Sequence, residues 1–182
     1  RKRTEAENQL LRDRMEFLLS SSPAVIYSCE PDGNHGATFM SQNVTDLFGF
    51  PPEAFTSASD FWQHHIHPDD VEQVFANLNQ LTTSGQHSNQ YRFRRQDGQY
   101  VWVQDEIRAV RDADGNVTEF IGYWADISDR KQAEQALQES ETRFRRVFQS
   151  NAVGMIFTNF NGQISDANDY FLEMLGFTRA DL

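Results

Sequence analysis

The residues whose types and spacing come nearest to chemistry are His64, His65 and His67 with Asp69 and Asp70, all candidate metal ligands. A metal centre needs at least three side chains converging on one point. His67-Pro68-Asp69-Asp70 has a backbone explanation, because Pro suits the first position of a helix and two carboxylates complement the positive end of its dipole. That accounts for His67 and both aspartates, so no metal site is expected. Cys29, the single cysteine, excludes an internal disulfide, and as a nucleophile it would need a nearby base and a lowered pKa. It lies instead in a stretch with strand character. The glycines are scattered through turns, with no Ser-His-Asp, Walker or Gly-x-Gly-x-x-Gly pattern. No catalytic residue is assigned, and the chain does not read as an enzyme.

Composition narrows the partners. Sixteen basic residues face 27 acidic ones, and the net charge of -11 with no dense basic block argues against nucleic acid. Arg1-Lys2-Arg3 fits a solvated helix start. No run approaches the length of a membrane span and no signal peptide is visible, so this piece is expected in the cytoplasm without membrane contact of its own. The lone cysteine fits a reducing compartment. Fifteen Phe favour a compact aromatic interior over disorder.

The elements that must position these residues follow from periodicity and breakers. Residues 1–19 form a helical pattern in which Leu11, Met15 and Leu18 fall at heptad spacing; a helix lying on the domain and a parallel dimer seam both fit. Ala24 to Cys29 reads as a strand closed by Pro31-Asp32-Gly33, and Ala37 to Met40 as a second. Residues 43–48 make a helical turn stopped by Gly49, with Pro51 and Pro52 forbidding continuation. A short helix over 58–66 precedes a longer one that opens at His67-Pro68 and buries Val71, Val74, Phe75, Leu78 and Leu81. From Tyr91 to Ser128, two Asp-Gly turns join three strands into an antiparallel meander. Residues 129–148 lack Gly and Pro and read as a connector helix, capped by Asp126 or Ser128, with Ala133, Leu137, Phe144 and Val147 on one seam.

The run YRFRRQDGQYVW, followed by VRDADGNVTEFIGYWADISDRKQAE, resembles the C-terminal half of a PAS domain, including the Asp-Ile-Ser exit into a charged helix. The resemblance implies an α+β fold, a five-stranded antiparallel sheet with helices on one face, flanked by long N-terminal and C-terminal linker helices. It divides the chain into an N-terminal flanking helix (1–19), a PAS domain (20–128) and a connector helix (129–148). A truncated second PAS copy (149–182) follows, because residues 151–162 match 22–33 and residues 168–177 match 41–50. The implied function is sensory: a module of a larger protein whose Asp126, Ile127 and Ser128 relay a signal from the sheet to the linker helix. The output domain, a histidine kinase or a cyclic-dinucleotide enzyme, would lie in the same polypeptide. A homodimer is expected through Leu11, Met15, Leu18, Leu137 and Phe144 of the helices, with Trp102 and Tyr123 of the sheet. Two alternatives stay open: a dimerisation module without ligand, and a small-ligand sensor with an apolar pocket.

Strand alternation turns Tyr91, Phe93, Val103, Ile107, Phe120, Gly122 and Trp124 toward the helices. They either close on one another as a core or line a cavity with Ser28, Thr38 or Asp105 as polar contacts. Phe93, Val103 and Trp124 are the candidate pocket residues. In the flavin-binding LOV subfamily these three positions carry amides, and here they are apolar or indole; the Asn-Cys adduct motif is also missing. Haem-binding PAS domains take a His from the long helix, and residues 69–84 contain none. The resemblance therefore implies neither flavin nor haem, while an unknown small ligand remains open. On the opposite face Tyr100, Trp102, Ile121 and Tyr123 form an aromatic patch that a flanking helix or a second chain should shield.

Overall fold

The computed structural model describes residues 9–11, 14–15, 17–19, 21–150 and 153–181. The elements are β1 (Ala24–Cys29), β2 (Ala37–Met40), α1 (Val44–Phe48), α2 (Pro52–Ser57), α3 (Phe61–His65), a 3-10 turn (Pro68–Asp70), α4 (Val71–Ser84), β3 (Gln86–Arg94), β4 (Tyr100–Arg111), β5 (Val117–Asp126), α5 (Ser128–Phe148), β6 (Ile156–Thr158), β7 (Ile164–Ala167) and α6 (Asp169–Leu175). Two compact units meet in sequence at Asp129 and Arg130.

Local chemistry sets most boundaries of the first unit. Gly49 ends α1 at φ 84°, a left-handed conformation that costs Gly little, and its N–H closes on Thr45 O. The two prolines do more than break that helix. Pro52 starts α2, a helix the breaker reading omits, because the first helical position needs no N–H. The helix expected over 58–66 is confined to Phe61–His65. β3 begins at Gln86, ahead of the expected Tyr91, because the polar run 86–90 lacks apolar alternation and is recruited by pairing with Gln104 to Arg108 of β4.

The five strands form one antiparallel sheet in the order β2-β1-β5-β4-β3. The meander supplies β3, β4 and β5, while β1 inserts between β2 and β5. That insertion pairs Val25 with Trp124, Tyr27 with Gly122 and Cys29 with Phe120. One face of the sheet packs on α1 to α4. Tyr91, Phe93, Val103 and Phe120 are fully enclosed there with Phe48 and Phe55.

Gly122 is required by a close approach. A Cβ on it would lie 2.6 Å from both the Tyr27 hydroxyl and the Glu106 carbonyl oxygen. Only a residue without a side chain lets the Tyr27 ring cross β5 on the inner face.

In the N-terminal segment, 9–11, 14–15 and 17–19 are helical, and Leu11, Met15 and Leu18 are exposed. The remainder of the predicted 1–19 helix lies outside the described residues. Met15 and Leu19 border a groove on the outer sheet face with Ile26, Phe39 and Ile121.

The second unit repeats the opening of the first. β6 and β7 pair antiparallel with a bulge between Phe157 and Thr158, as β1 and β2 do between Ser28 and Cys29. Asn168 accepts from Met155 N (2.8 Å) and donates to Val153 O (2.8 Å). In the first copy two residues share those tasks: Ser41 Oγ accepts from Ile26 N (2.8 Å), and Asn43 donates to Ala24 O (2.9 Å). α5 is helical throughout 128–148; Leu137 is exposed on it, and Phe144 stacks on Phe148 (ring centroids 5.7 Å) and approaches Phe157 (5.8 Å).

Gly122→Ala is expected to destabilise the first unit by roughly 1 to 3 kcal/mol, the ordinary cost of overpacking. Urea denaturation of the chain measures it; an unchanged midpoint would show that Tyr27 can move away freely.

Candidate functional site

Five side chains from five elements converge inside the sheet. Asp105 of β4 is buried, 2% exposed, and accepts from the Tyr27 hydroxyl on Oδ1 (2.7 Å) and from the Tyr91 hydroxyl on Oδ2 (3.1 Å). Trp62 of α3 donates its indole N–H to the Tyr91 oxygen (3.0 Å), tying the helical layer to the same carboxylate. Trp124 of β5 lies 5.2 Å from the Tyr27 ring. Its Nε1–H faces Asp105 and favours the charged form, yet it is buried outside hydrogen-bond geometry with any acceptor among the described residues. A buried indole donor left so calls for an acceptor such as a water.

Burial pushes the Asp105 carboxyl up from 3.8 to about 6, against the pull of the hydrogen bonds from Tyr27 and Tyr91 and of the nearby Trp124 N–H. Burial, with the Asp105 charge next, raises both phenols well above their ordinary range and keeps them neutral donors. The same causes push the Cys29 thiol up to about 12, so Cys29 is a neutral thiol and not a nucleophile.

A cavity of about 30 Å³ opens beside this cluster, walled by Tyr27, Phe55, Trp62, Trp124, Met40 and Asp105 among others. One water needs on the order of 10 to 15 Å³, so the space holds a molecule of very few heavy atoms. Most of the inner face is therefore filled core, with one small polar-walled gap. Of the candidate pocket residues, Trp124 borders the gap; Phe93 and Val103 are fully buried and do not. Phe93 is occupied by packing on Phe48 (5.4 Å), Phe55 (6.2 Å) and Trp124 (5.4 Å). Ser28 and Thr38 hydrogen-bond to each other (2.7 Å) away from the cavity. Sequence reasoning missed Tyr27 and Trp62 altogether. The usable signals were an Asp on the apolar phase of β4 and a Gly inside β5.

The exit of the sheet is a second cluster. Asp126 Oδ2 pairs with Arg95 Nη2 (2.7 Å), and its Oδ1 accepts from Ser128 N (2.9 Å). Ser128 Oγ accepts from Trp102 N (3.0 Å), and Ile127 N donates to Trp102 O (2.9 Å). The triplet thus locks the start of α5 onto β4 and onto the β3–β4 turn.

The histidines diverge. His64 faces Asp60 (3.6 Å), His65 Nδ1 sits 2.7 Å from Phe61 O and stacks on the Phe61 ring, and His67 Nδ1 accepts from Asp69 N. Among the described residues no three His, Cys, Asp or Glu side chains gather as metal ligands. Asp70 binds Arg92 through 2.6 Å and 3.0 Å contacts, and the Arg92 guanidinium holds its carboxyl below the usual range. Of the outer patch, Trp102 is half-buried with the Arg92 guanidinium over its ring (5.6 Å), while Tyr100, Ile121 and Tyr123 are exposed.

A family model described as a PAS fold matches residues 37–124, and one described as a PAS domain matches residues 142–182. The two-component sensor PprA of Pseudomonas aeruginosa is 32% identical over 148 residues, which cover 79% of this chain and 16% of that protein. The methyl sulfide methyltransferase-associated sensor of Methanosarcina acetivorans is 28% identical over 145 residues, 79% of this chain and 14% of that protein. The chain therefore spans only a small part of the length of these relatives. Among solved structures, the N-terminal domain of a diguanylate cyclase with PAS/PAC sensor from Marinobacter aquaeolei is 28% identical with a TM-score of 0.54, over 59% of this chain and 98% of that one. A sensory box histidine kinase/response regulator from Burkholderia thailandensis is 27% identical with a TM-score of 0.58, over 73% and 98%.

The raised Asp105 carboxyl makes stability pH-dependent. The folded state holds this proton more tightly than the unfolded state, so its contribution is complete below about pH 4 and is lost as pH rises through about 6. The full effect is on the order of 3 kcal/mol. Asp105→Asn should therefore be more stable relative to wild type at about pH 7.5 than at about pH 4.5. The slopes from Asp70 and His65 are common to both proteins and cancel. Urea melts at the two pH values measure the difference, and a constant difference would refute the assignment.

Proposed function

This chain belongs to the PAS family, and from that premise we propose that residues 20–128 are the sensory module of a longer cytoplasmic signalling protein, with 129–148 as its connector and 149–182 as the start of a second PAS copy. The observation that carries the reading is the pair of linked clusters on β4: Asp105 beside the cavity, and Trp102, three residues earlier, holding Ile127 and Ser128 at the exit. Strand β4 joins the two by covalent continuity. A ligand that alters the Asp105 network shifts β4 against β5, and the shift reaches α5 through the Trp102 backbone and the Asp126–Arg95 pair. Coupling of about 1 to 3 kcal/mol between two packings is enough for a signal.

The module itself has no catalytic role in this reading. Its output would be a histidine kinase or cyclic-dinucleotide domain of the same polypeptide, as the sensor kinase and cyclase relatives suggest. It would act as a homodimer, with Leu11, Met15, Leu18 and Leu137 supplying helical contacts and Tyr123 the sheet contact; the exposure of these side chains supports that use. Phe144 has packing partners within its own unit.

Asp126→Ala removes the Arg95 pair and the acceptor for Ser128 N. Amides at the start of α5 should exchange with solvent about tenfold faster, a loss of about 1.4 kcal/mol, while β4 amides stay protected. In the longer protein the output should lose its response to stimulus while the module stays folded. Unchanged exchange together with a normal response would sink the relay.

A further inference from the structure

The walls of the cavity indicate the charge of what enters it. Asp105 is a buried carboxylate served only by neutral donors, and among the described residues no ion pair reaches it. A carboxylate kept dry without a counter-charge is costly, and a bound cation removes that cost. Four aromatic side chains, Tyr27, Phe55, Trp62 and Trp124, border the same space. Ring faces attract cations, most strongly when water is excluded. An anion would meet the carboxylate at close range. A metal ion would find one carboxylate beside phenols that already donate their protons to it, too few acceptors for a coordination shell. Met40, Leu78, Ala37 and Ile107 also line it and suit carbon substituents.

Resting on the reading of this cavity as the sensory site, we propose that its ligand is a small organic ammonium ion, a primary or N-methylated amine of very few heavy atoms. Its N–H donates to the Asp105 carboxylate, and its carbon substituents lie against the rings of Trp62, Trp124 and Phe55. The size follows from the cavity volume of about 30 Å³. Binding requires the ionised carboxylate, so affinity falls as pH drops through about 6 and is complete above it. The groups facing Asp105 leave that dependence to it. Tyr27 and Cys29 of β1 and Tyr91 of β3 stay neutral, Glu106 on β4 adds only a like charge, and His35, which also lines the cavity, lies against the Phe120 ring (5.8 Å).

The test uses the 182-residue chain and two probes of equal size, 13C-methylammonium and 13C-methanol, followed by NMR at constant ionic strength. Methylammonium should saturate with an upfield methyl shift from the surrounding rings, and methanol should not. Asp105→Asn should weaken methylammonium binding by about tenfold or more, the consequence of losing a charged hydrogen-bond acceptor. A second measurement on wild type needs no variant: affinity should fall between about pH 7.5 and about pH 5 as the carboxyl protonates. Equal binding of both probes, or methylammonium binding indifferent to Asp105→Asn and to pH, overturns the amine and leaves the cavity as the sensory site. Entry of neither probe into the wild-type protein overturns the amine and the sensory reading of the cavity together.

Discussion

A carboxylate enclosed by aromatic rings persists in a fold only where hydrogen-bond donors surround it, and here the Tyr27–Asp105 bond of 2.7 Å carries that constraint. It joins the first strand of the sheet to the fourth across 78 positions of sequence. The bond requires β1 to lie beside β5, it requires Gly122 to vacate the path of the Tyr27 ring, and it requires Tyr91 to hold the second carboxylate oxygen. Trp62 then fastens α3 to Tyr91, so the position of the helical layer depends on the same network. A buried polar cluster of this kind fixes one arrangement among many that an apolar core would tolerate.

The aromatic core and the polar cluster divide the work. Phe48, Phe55, Phe93 and Trp124 meet mostly edge to face and supply burial without directional demand. Asp105 supplies direction at a cost in stability, and the gap lies beside it and not beside Phe93 or Val103. The exit follows the same logic at the surface: Asp126 and Ser128 spend side-chain bonds on backbone N–H groups that the sheet and the first turn of α5 leave over. Strand β4 thus carries a buried polar centre near its middle and an interlocked helix start at its end.

The second unit shows which parts of the design are local. Its strand pair and bulge reappear with different residues and its helix again stops at a left-handed glycine, while one asparagine replaces a Ser–Asn pair in tying the strand to the helix start. Those features need only some twenty-five consecutive residues, about the scale of one supersecondary unit. The polar cluster is not local in this sense: at the position of Tyr27 the second copy has Ile156, which has no hydroxyl to give a carboxylate.

The sequence by itself determined the elements and their faces. Asp-Gly turns, proline positions and period-two alternation name β4, β5 and the inward residues Tyr91, Phe93, Val103, Ile107 and Trp124, since all of these are properties of neighbouring residues along the chain. The Asp-Ile-Ser exit was legible through the resemblance to PAS domains. The tertiary structure alone decided which strand β1 joins, that Pro52 begins a helix, and that the polar run 86–90 becomes strand. It also decided that the cavity gathers at Tyr27, Trp62 and Asp105 and not at Phe93 and Val103. Those outcomes turn on contacts between residues far apart in sequence, whose energies depend on how much space the packed rings leave, and no local pattern records that remainder.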